Sequence, residues 1–183
     1  MEFGEKTLSK QTIYEGAILD LEVHQVALQD GNQAKREIIR HQPAVAILAL
    51  VDDKIILVKQ YRKAIDRAIL EVPAGLVDPG EDWLAAAQRE LEEETGYQAD
   101  SWTKLFGGYL SPGYLDEYLQ IYHADQLRLV DQPLAQDEDE HIELVRLTLD
   151  QALDMVNQGE ICDYKSFCAI QYWQLLKAGG HNG

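Results

Sequence analysis

The stretch GLVDPGEDWLAAAQRELEEETGY runs from Gly75 to Tyr97 and decides how the rest of the chain is interpreted. Within it, Asp78-Pro79-Gly80 is a turn signal, because proline presets φ and glycine accepts the left-handed conformation. The residues from Trp83 to Thr95 have the pattern of a helix, and Gly96 stands at the position where glycine commonly ends one. The stretch therefore predicts a tight turn followed by a helix of about three and a half turns.

The predicted helix has an acidic stripe beside its apolar face. The apolar face consists of Leu84, Ala87, Leu91 and Thr95. Glu90, Glu93 and Glu94 form the stripe, and like charges at i,i+4 cost a helix a few tenths of a kcal/mol. A bound divalent cation reverses the sign of that energy, since hard cations such as Mg²⁺ take carboxylate oxygens and share their shell with phosphates. The alternative is an ordinary solvated acidic face, which leaves the isolated Glu81 and its turn at fixed spacing unexplained.

The whole stretch resembles the Nudix box, whose pattern is glycine-x5-Glu-x7-Arg-Glu-apolar-x-Glu-Glu-x-Gly-apolar. The positions that match are Gly75, Glu81, Arg89, Glu90, Leu91, Glu93, Glu94, Gly96 and Tyr97. The resemblance implies a metal-dependent hydrolase that cuts a pyrophosphate linked to another group. It also implies an α/β (α+β) fold, the Nudix αβα sandwich, with a mixed central sheet and with the box as loop, helix and loop.

Length and charge limit the possible partners. A chain of 183 residues fits one domain, or one domain with a small appendage, and its 46% hydrophobic content is that of a globular protein. The net charge of −16 argues against a nucleic-acid surface. Neither a membrane span nor a signal peptide is predicted, so we expect a cytoplasmic protein. We interpret Cys162 and Cys168 as core thiols on a C-terminal helix, without a disulfide.

Two parts are predicted along the chain. Residues 1–42 have the pattern of a small antiparallel β unit, with Asp30-Gly31-Asn32 as a hairpin signal, and residues 43–183 would form the Nudix hydrolase domain. The strands expected in the second part are residues 44–51, 54–61, 68–72, 102–106, 118–123 and 142–147. The apolar run 44–51 is typical of a central strand buried on both faces.

Two further helices are expected near the C-terminus. Thr148 can cap a helix that ends near Gly159, and Asp163 can cap the last helix, which continues to Gly179. The apolar face of the last helix consists of Phe167, Ile170, Tyr172, Trp173 and Leu176. This face is interpreted as core.

A second resemblance narrows the family to one branch. Ser111-Pro112-Gly113 follows the box, with Pro112 sixteen residues beyond Gly96, and Glu71-Val-Pro-Ala-Gly75 precedes the helix. Together with the N-terminal β unit, this layout is similar to the ADP-ribose pyrophosphatase branch. That similarity implies hydrolysis of ADP-ribose to AMP and ribose 5-phosphate. It also implies a homodimer in which the N-terminal unit completes the adenine pocket of the partner subunit.

The same resemblance assigns roles to particular residues. Metal ligation falls to the Ala74 carbonyl, Glu90, Glu94 and Glu140, which would hold two or three Mg²⁺ ions, with Mn²⁺ as a substitute. The catalytic assignments are Glu138, as the general base in an acidic loop, and Glu93 beside the metal. The implied substrate contacts are Arg36, Glu37, Arg62, Leu76, Ser111, Pro112, Gly113 and Glu117. The order of Glu138 and Glu140 in these two roles is open, since the match in that loop can slip by two residues.

Other functions fit the sequence as well. The box alone does not name the substrate, so a pyrophosphatase for another nucleoside diphosphate sugar, a flavin or a dinucleotide is the first alternative. A ligand-sensing Nudix domain without catalysis is the second. Such domains generally carry a broken box and an attached effector domain, whereas every specified position of the box is intact here.

Overall fold

The structure is a computed structural model that describes residues 4–135 and 141–179. Its elements in chain order are β1 (Lys6–Glu15), β2 (Leu19–Ala27), β3 (Gln33–His41), β4 (Ala44–Val51), β5 (Lys54–Arg62), β6 (Arg67–Glu71), β7 (Ala74–Leu76), α1 (Trp83–Thr95), β8 (Tyr97–Tyr109), β9 (Tyr118–Leu129), β10 (Glu143–Leu147), α2 (Leu149–Gln158) and α3 (Tyr164–Gly179).

Two compact units divide the chain. The first unit contains the residues up to Ala44 together with residues 107–119. Its sheet has the order β1-β2-β3 with both pairings antiparallel, which confirms the small N-terminal antiparallel sheet. Segment 107–119 joins this sheet through the end of β3, where the Ile39 amide donates to the Tyr114 carbonyl at 2.7 Å. A distant piece of sequence thus belongs to the N-terminal unit.

The second unit contains Val45–Phe106 and the residues from Gln120 onward. Its sheet has the strand order β10-β5-β4-β9-β8, with β6 beside β5 and β7 beside β4. The first six residues of β4, from Ala44 to Ala49, are buried, as expected for a central strand. The short strand β7 places the start of the box directly beside this centre.

Helix α1 packs on one face of the larger sheet. Alternate residues of β4, namely Val45, Ile47 and Ala49, share a buried cluster with Ala87 and Leu91 of α1. Because successive side chains of a strand point to opposite faces, Ala46 and Leu48 lie on the other face, where they are also fully buried. The central strand is therefore covered on both faces, and α1 packs against one of them.

The helix ends follow the predicted signals. α1 begins after Asp82, whose side chain accepts from the amides of Leu84 and Ala85, and it ends at left-handed Gly96. Thr148 caps α2 with a full capping box. Asp163 Oδ1 accepts from the Ser166 amide at 3.0 Å at the start of α3. These caps fix where each helix begins.

Four expectations about the second half of the chain are wrong, and the first is the strand expected at 118–123, which continues to Leu129. The strand expected at 102–106 extends from Tyr97 to Tyr109, because Gly107 and Gly108 adopt no left-handed φ and do not break it. Cys162 precedes α3 and is exposed, and Cys168 is half-buried, so neither is a core thiol. On α3 only Ile170 and Trp173 of the predicted apolar face are buried, and Phe167 and Leu176 are exposed. The helix packs through a narrower stripe that includes the small residues Ser166 and Ala169.

Within the described residues, no helix is both long enough and apolar enough to cross a membrane.

Candidate active site

The site begins where β7 meets helix α1. Gly75, the second residue of β7, lies so close to the Glu90 carboxylate that a Cβ at this position would overlap its carbon and both oxygens. Gly75 is not left-handed, so the close approach explains this glycine better than its backbone conformation. The first specified residue of the box therefore makes room for the Glu90 side chain.

Glu94 approaches the same strand from one helical turn further along. Its side chain is buried, with 2% of the residue exposed, and Oε2 accepts from the Ala74 amide at 3.0 Å. The carbonyl of Ala74 belongs to the peptide that joins Ala74 to Gly75. The carboxylates of Glu94 and Glu90 thus lie against Ala74 and Gly75, the two residues joined by the peptide whose carbonyl the resemblance implies as a metal ligand.

Arg89 ties the turn, the strand and the acidic stripe together. Its Nε and Nη2 donate to the two Glu81 oxygens at 3.0 Å each, and Nη2 also donates to the Leu76 carbonyl at 3.1 Å. Nη1 donates to Glu90 at 2.6 Å and to Glu93 at 2.9 Å. A planar guanidinium is the side chain that can make several such bonds in fixed directions. The spacing of Glu81, Arg89, Glu90 and Glu93 in the sequence is explained by this one side chain.

The charges of this cluster shift its ionisation. The bonds from Arg89 hold the pKa of the Glu81 carboxyl below its usual range, and those from Glu81, followed by Glu90 and Glu93, raise the pKa of Arg89. Glu81 also accepts from the Asp78 amide at 3.0 Å, which ties the Pro-Gly turn to α1. Glu81 is therefore a structural anion of the box at neutral pH.

The donors at this site are of the type that a hard divalent cation needs. Carboxylate oxygens of Glu90 and Glu94 stand beside the Ala74 peptide, and Mg²⁺ binds carboxylates and carbonyls. In residues 4–135 and 141–179, no three or more His, Cys, Asp or Glu side chains are grouped so that they could hold a metal ion. Glu140, the remaining predicted ligand, and Glu138, the predicted base, lie outside the described residues. The metal assignment stays a prediction with a suitable donor set.

Arg62, a predicted substrate contact, stands at the end of β5 in a second ionic cluster. Its Nε donates at 2.7 Å to Oε2 of Glu71, a buried carboxylate of β6. Lys165 of α3 donates at 2.6 Å to Oε1 of Glu71. Glu71 therefore binds the two cations side by side, one at each of its oxygens.

The remaining predicted substrate residues divide between the two units. Leu76 belongs to β7 of the second unit, with its carbonyl bound to Arg89. The other six lie in the first unit and are Arg36, Glu37, Ser111, Pro112, Gly113 and Glu117. Arg36 is bound to Glu5, with Nε donating at 2.9 Å, and Glu37, Pro112 and Gly113 are exposed. Their role in binding substrate stays a prediction.

A cavity and a more open groove lie among the described residues of the second unit. A cavity of about 380 Å³ beside α1 is lined by Gln88, Arg89, Glu92, Gln98, Ala99, Trp102 and Leu134. A more open groove of about 520 Å³ is lined by Lys59, Gln60, Tyr61, Ala68, His141, Ile142 and Glu143. The groove is bordered by His141, which directly follows Glu140 in the sequence.

Sequence reasoning missed three residues that organise these clusters. Glu81 was a matched position without a role, and Glu71 and Lys165 were given none. The signal for Glu71 was present, because a carboxylate inside the apolar strand Ala68-Ile-Leu-Glu-Val has to be paired if it is buried. Lys165 carried no such signal, since a lysine in the first turn of a helix is ordinarily solvated.

Comparison with known protein families gives two matches. The NUDIX domain matches residues 40–168, and the nucleoside diphosphate sugar hydrolase N-terminal domain matches residues 5–39. The chain is 46% identical over 175 residues to an ADP-ribose pyrophosphatase of Bacillus subtilis (strain 168), covering 95% of each protein. It is 42% identical over 180 residues to a methanol dehydrogenase activator of Bacillus methanolicus, covering 98% of this chain and 97% of the relative.

A solved structure has the same fold. The crystal structure of an ADP compounds hydrolase superposes with a TM-score of 0.87 at 28% sequence identity, covering 96% of each chain. The predicted fold class is therefore confirmed over nearly the whole chain.

Proposed function

The chain belongs to the Nudix family of hydrolases, and we propose that it hydrolyses the diphosphate of ADP-ribose to AMP and ribose 5-phosphate. The similarity to an ADP-ribose pyrophosphatase extends over 95% of both chains, so it includes the N-terminal sheet and segment 107–119 as well as the box. The name of the Bacillus methanolicus relative describes an activator and no substrate, so it does not separate one nucleotide from another.

One observation carries the hydrolytic assignment. The Glu90 carboxylate lies against Gly75, and the Glu94 carboxylate binds the Ala74 amide, so that two carboxylates meet β7 at the start of the box. Glu90 and Glu94 lie at i,i+4 on α1, where like charges repel, and a bound cation reverses the sign of that energy. The arrangement is intelligible as the binding site of a cationic group, for which the Ala74 carbonyl and both carboxylates supply oxygen atoms.

We assign that cation as Mg²⁺, with Mn²⁺ as a substitute and two or three ions per site. Bound ions would neutralise the diphosphate and favour the displacement at phosphorus. The chain's own residues prepare the site before the ions arrive. Arg89 holds Glu90 and Glu93 in fixed positions, and the Ala74 amide holds Glu94, so little reorganisation is needed on binding. Glu93 is assigned to the catalytic group because Arg89 keeps it beside Glu90.

Proton removal from the attacking water is assigned to Glu138, with Glu140 as the additional metal ligand. A lost base lowers kcat by about 10²–10⁴-fold and leaves substrate binding nearly intact. Glu138→Gln should behave in this way, and extra Mg²⁺ should not restore its activity. Glu140→Gln should instead weaken the apparent affinity for Mg²⁺ and recover as Mg²⁺ is raised. The reverse pattern of rescue would exchange the two roles.

Substrate binding is assigned to Arg36, Glu37, Arg62, Leu76, Ser111 to Gly113 and Glu117. Arginine suits this work because its planar donors match phosphate oxygens and its face stacks on a base. For Arg62 the structure adds a supporting contact, since Glu71 holds its Nε and directs the guanidinium. Arg62→Lys keeps the charge and loses the planar donors, so we expect a higher KM for ADP-ribose.

A homodimer is part of the proposal, with the N-terminal unit at the contact between subunits. All ten residues of β1, an edge strand, are exposed, including the apolar side chains of Leu8, Ile13 and Tyr14. Exposed apolar edge strands are prone to pair with another chain. Ile13→Lys should shift the mass measured by light scattering toward the monomer. The control is Leu175→Lys, an exposed apolar position on α3. A dimer unchanged by Ile13→Lys would remove β1 from the contact.

The function itself is tested with a panel of nucleotides in Mg²⁺, with products separated by chromatography. The panel contains ADP-ribose, a GDP-sugar, FAD and a dinucleoside polyphosphate. We expect the highest kcat/KM for ADP-ribose, with AMP and ribose 5-phosphate as products. Preference for another nucleotide by tenfold or more would replace the substrate and keep the reaction. No turnover of any compound would instead favour a ligand-sensing role.

A further inference from the structure

A chain of alternating charges crosses the first unit from its edge strand to segment 107–119. Lys10 of β1 donates to Oε1 of Glu22 at 2.5 Å. Arg40 of β3 donates through Nε to Oε2 of Glu22 at 3.0 Å and through Nη1 to Oδ2 of Asp116 at 2.9 Å. The four charges therefore alternate in sign, and Arg40 joins the sheet to the segment that contains Asp116.

Glu22 is the buried centre of this chain. Only 5% of the residue is exposed, and its Oε2 also lies 2.9 Å from Nε2 of His24. The bonds from Lys10, His24 and Arg40, in that order, hold the pKa of Glu22 at about 2. A buried carboxylate that stays ionised fixes the side chains around it, because each of them would leave an unpaired charge if it moved. Arg40 is consequently held at its Nε end.

Asp116 fixes the backbone at the other end of Arg40. Its Oδ1 accepts from the His41 amide at 2.9 Å, and its own amide donates to the Ile39 carbonyl at 3.2 Å. The Ile39 amide in turn donates to Tyr114 at 2.7 Å. These bonds lay residues 114–116 along the end of β3, the strand that carries Arg36 and Glu37.

The turn before Asp116 is closed by its own bonds. The Ser111 carbonyl accepts from the amides of Tyr114 at 3.1 Å and Leu115 at 2.9 Å. The Leu110 amide donates to the Glu117 carbonyl at 3.2 Å. Residues 110–117 are thus a closed loop, and its attachment to β3 passes through residues 114–116.

We propose that Asp116 is a positioning residue for substrate recognition, which holds the Ser111–Glu117 loop against β3 so that both present their substrate contacts in one fixed arrangement. The proposal rests on the proposed function, because Ser111, Gly113 and Glu117 on the loop and Arg36 on β3 are assigned to substrate there. Asp116 itself does not touch the substrate. It acts through Arg40 and the backbone of β3.

A purely structural role of the Arg40–Asp116 pair would appear in the melting temperature, whereas a positioning role appears in KM. The side chains of Arg40 and Asp116 are 42% and 38% exposed, and ion pairs this exposed add little to stability. Misplacement of contact residues by about 1 Å, however, can lower the rate of an enzyme about 10²-fold. We therefore expect Asp116→Asn, which leaves the bond between Arg40 and buried Glu22 in place, to raise KM strongly and to change the melting temperature only slightly.

The test compares Asp116→Asn, Arg40→Gln and the double variant in the full chain. Each single variant should raise the KM for ADP-ribose about tenfold, with kcat within about twofold of the parent. The double variant should be no worse than either single one, because both changes remove the same link. Asp116→Glu, which keeps the carboxylate, should recover part of the loss. Arg40→Lys, which keeps the charge and loses the fork that joins Glu22 to Asp116, should resemble Asp116→Asn.

The matched control is Asp30→Asn in the same unit. Asp30 closes the hairpin between β2 and β3 by accepting from the Asn32 amide at 3.0 Å and from its side chain at 2.7 Å. This change should leave KM unaltered. An unchanged KM in Asp116→Asn, or KM effects that add in the double variant, would overturn the positioning role.

Failure of the proposed function gives a different result. If the proposed function is wrong, the parent enzyme itself does not hydrolyse ADP-ribose. In that case KM is measured with the nucleotide from the panel that is hydrolysed, or the dissociation constant of ADP-ribose is measured by calorimetry in EDTA. Asp116→Asn is expected to raise that value about tenfold as well, and no change in it would overturn the positioning role.

Discussion

Replacing Gly75 by alanine tests whether Glu90 works from the position that the structure gives it. The new Cβ would overlap the Glu90 carboxylate, so the carboxylate has to swing away from β7. The backbone itself accepts alanine, because Gly75 is not left-handed. The obstacle is therefore the flexible end of one side chain, and the fold can adapt to it.

The effect on stability should be small. Forcing Glu90 off a preferred rotamer costs about 0.5–1.5 kcal/mol, and disturbing its pair with Arg89 costs up to about 1 kcal/mol. Replacing glycine by alanine stabilises the protein by about 0.4–1 kcal/mol, because alanine lowers the conformational entropy of the unfolded chain. The net loss is about 1 kcal/mol, which lowers the melting temperature of a protein of this size by about 2–4 °C.

The effect on activity should be large. A proposed ligand displaced by more than about 1 Å no longer has its productive geometry, and a displacement of this size costs about 10²-fold. We expect kcat/KM for ADP-ribose to fall at least about 10²-fold in Gly75→Ala at saturating Mg²⁺. The measurement pairs steady-state kinetics over a range of Mg²⁺ concentrations with thermal unfolding of the same samples.

Gly108→Ala is the matched control. Gly108 also lacks a left-handed φ, and a Cβ there would meet no atom within 4 Å. It should keep both activity and melting temperature. If Gly75→Ala retains the parent's kcat/KM and Mg²⁺ dependence, Glu90 does not act from beside Gly75, and the geometric basis of the metal assignment fails.

Three further predictions concern buried polar groups. Glu94→Gln keeps an acceptor for the Ala74 amide and loses the charge, so the rise in melting temperature on adding Mg²⁺ should shrink and activity should fall by several orders of magnitude; an equal Mg²⁺ effect in both proteins would contradict this. The pKa of Glu22 is lowered from 4.5 to about 2, so its contribution to stability is present above pH 4.5 and is lost as the pH falls toward 2. Urea unfolding across that range should show a shallower acid loss in Glu22→Gln, and parallel curves would refute it. Ser166→Ala leaves the buried Val72 amide without its acceptor at 2.9 Å, so the free energy of unfolding in urea should drop by about 1–3 kcal/mol; a smaller change would show that this bond is replaceable.

Local patterns predicted the box and its helix well. Helix α1 has the predicted bounds, Trp83 to Thr95, because proline, glycine and the Asp82 cap act within a few residues of one another. Strand β4 was also predicted to its ends, since an unbroken apolar run bounded by a turn has one plausible structure. Signals of this kind depend on neighbours in the sequence.

Contacts between distant residues could not be predicted in the same way. Nothing near Asp116 in the sequence indicates that it binds Arg40, and nothing near Lys165 indicates Glu71. Both pairs depend on which strands and helices meet, and a single sequence does not contain that information. The bonds from Arg89 to Glu90 and Glu93 are easier to predict from the sequence, because Arg89 lies within one helical turn of both.

The composition of the first unit bears on how the chain is made on the ribosome. Strands β1 to β3 are synthesised first, but residues 107–119, which complete their unit, follow only after β4 to β7 and α1. At about 5–20 residues per second, the interval between Ala44 and Leu119 lasts roughly 4–15 s. During that time the edge of β3 that later binds Tyr114 and Asp116 lacks these partners. Translation speed across the box is therefore a determinant of how long this chain offers an open strand edge to chaperones and to other nascent copies.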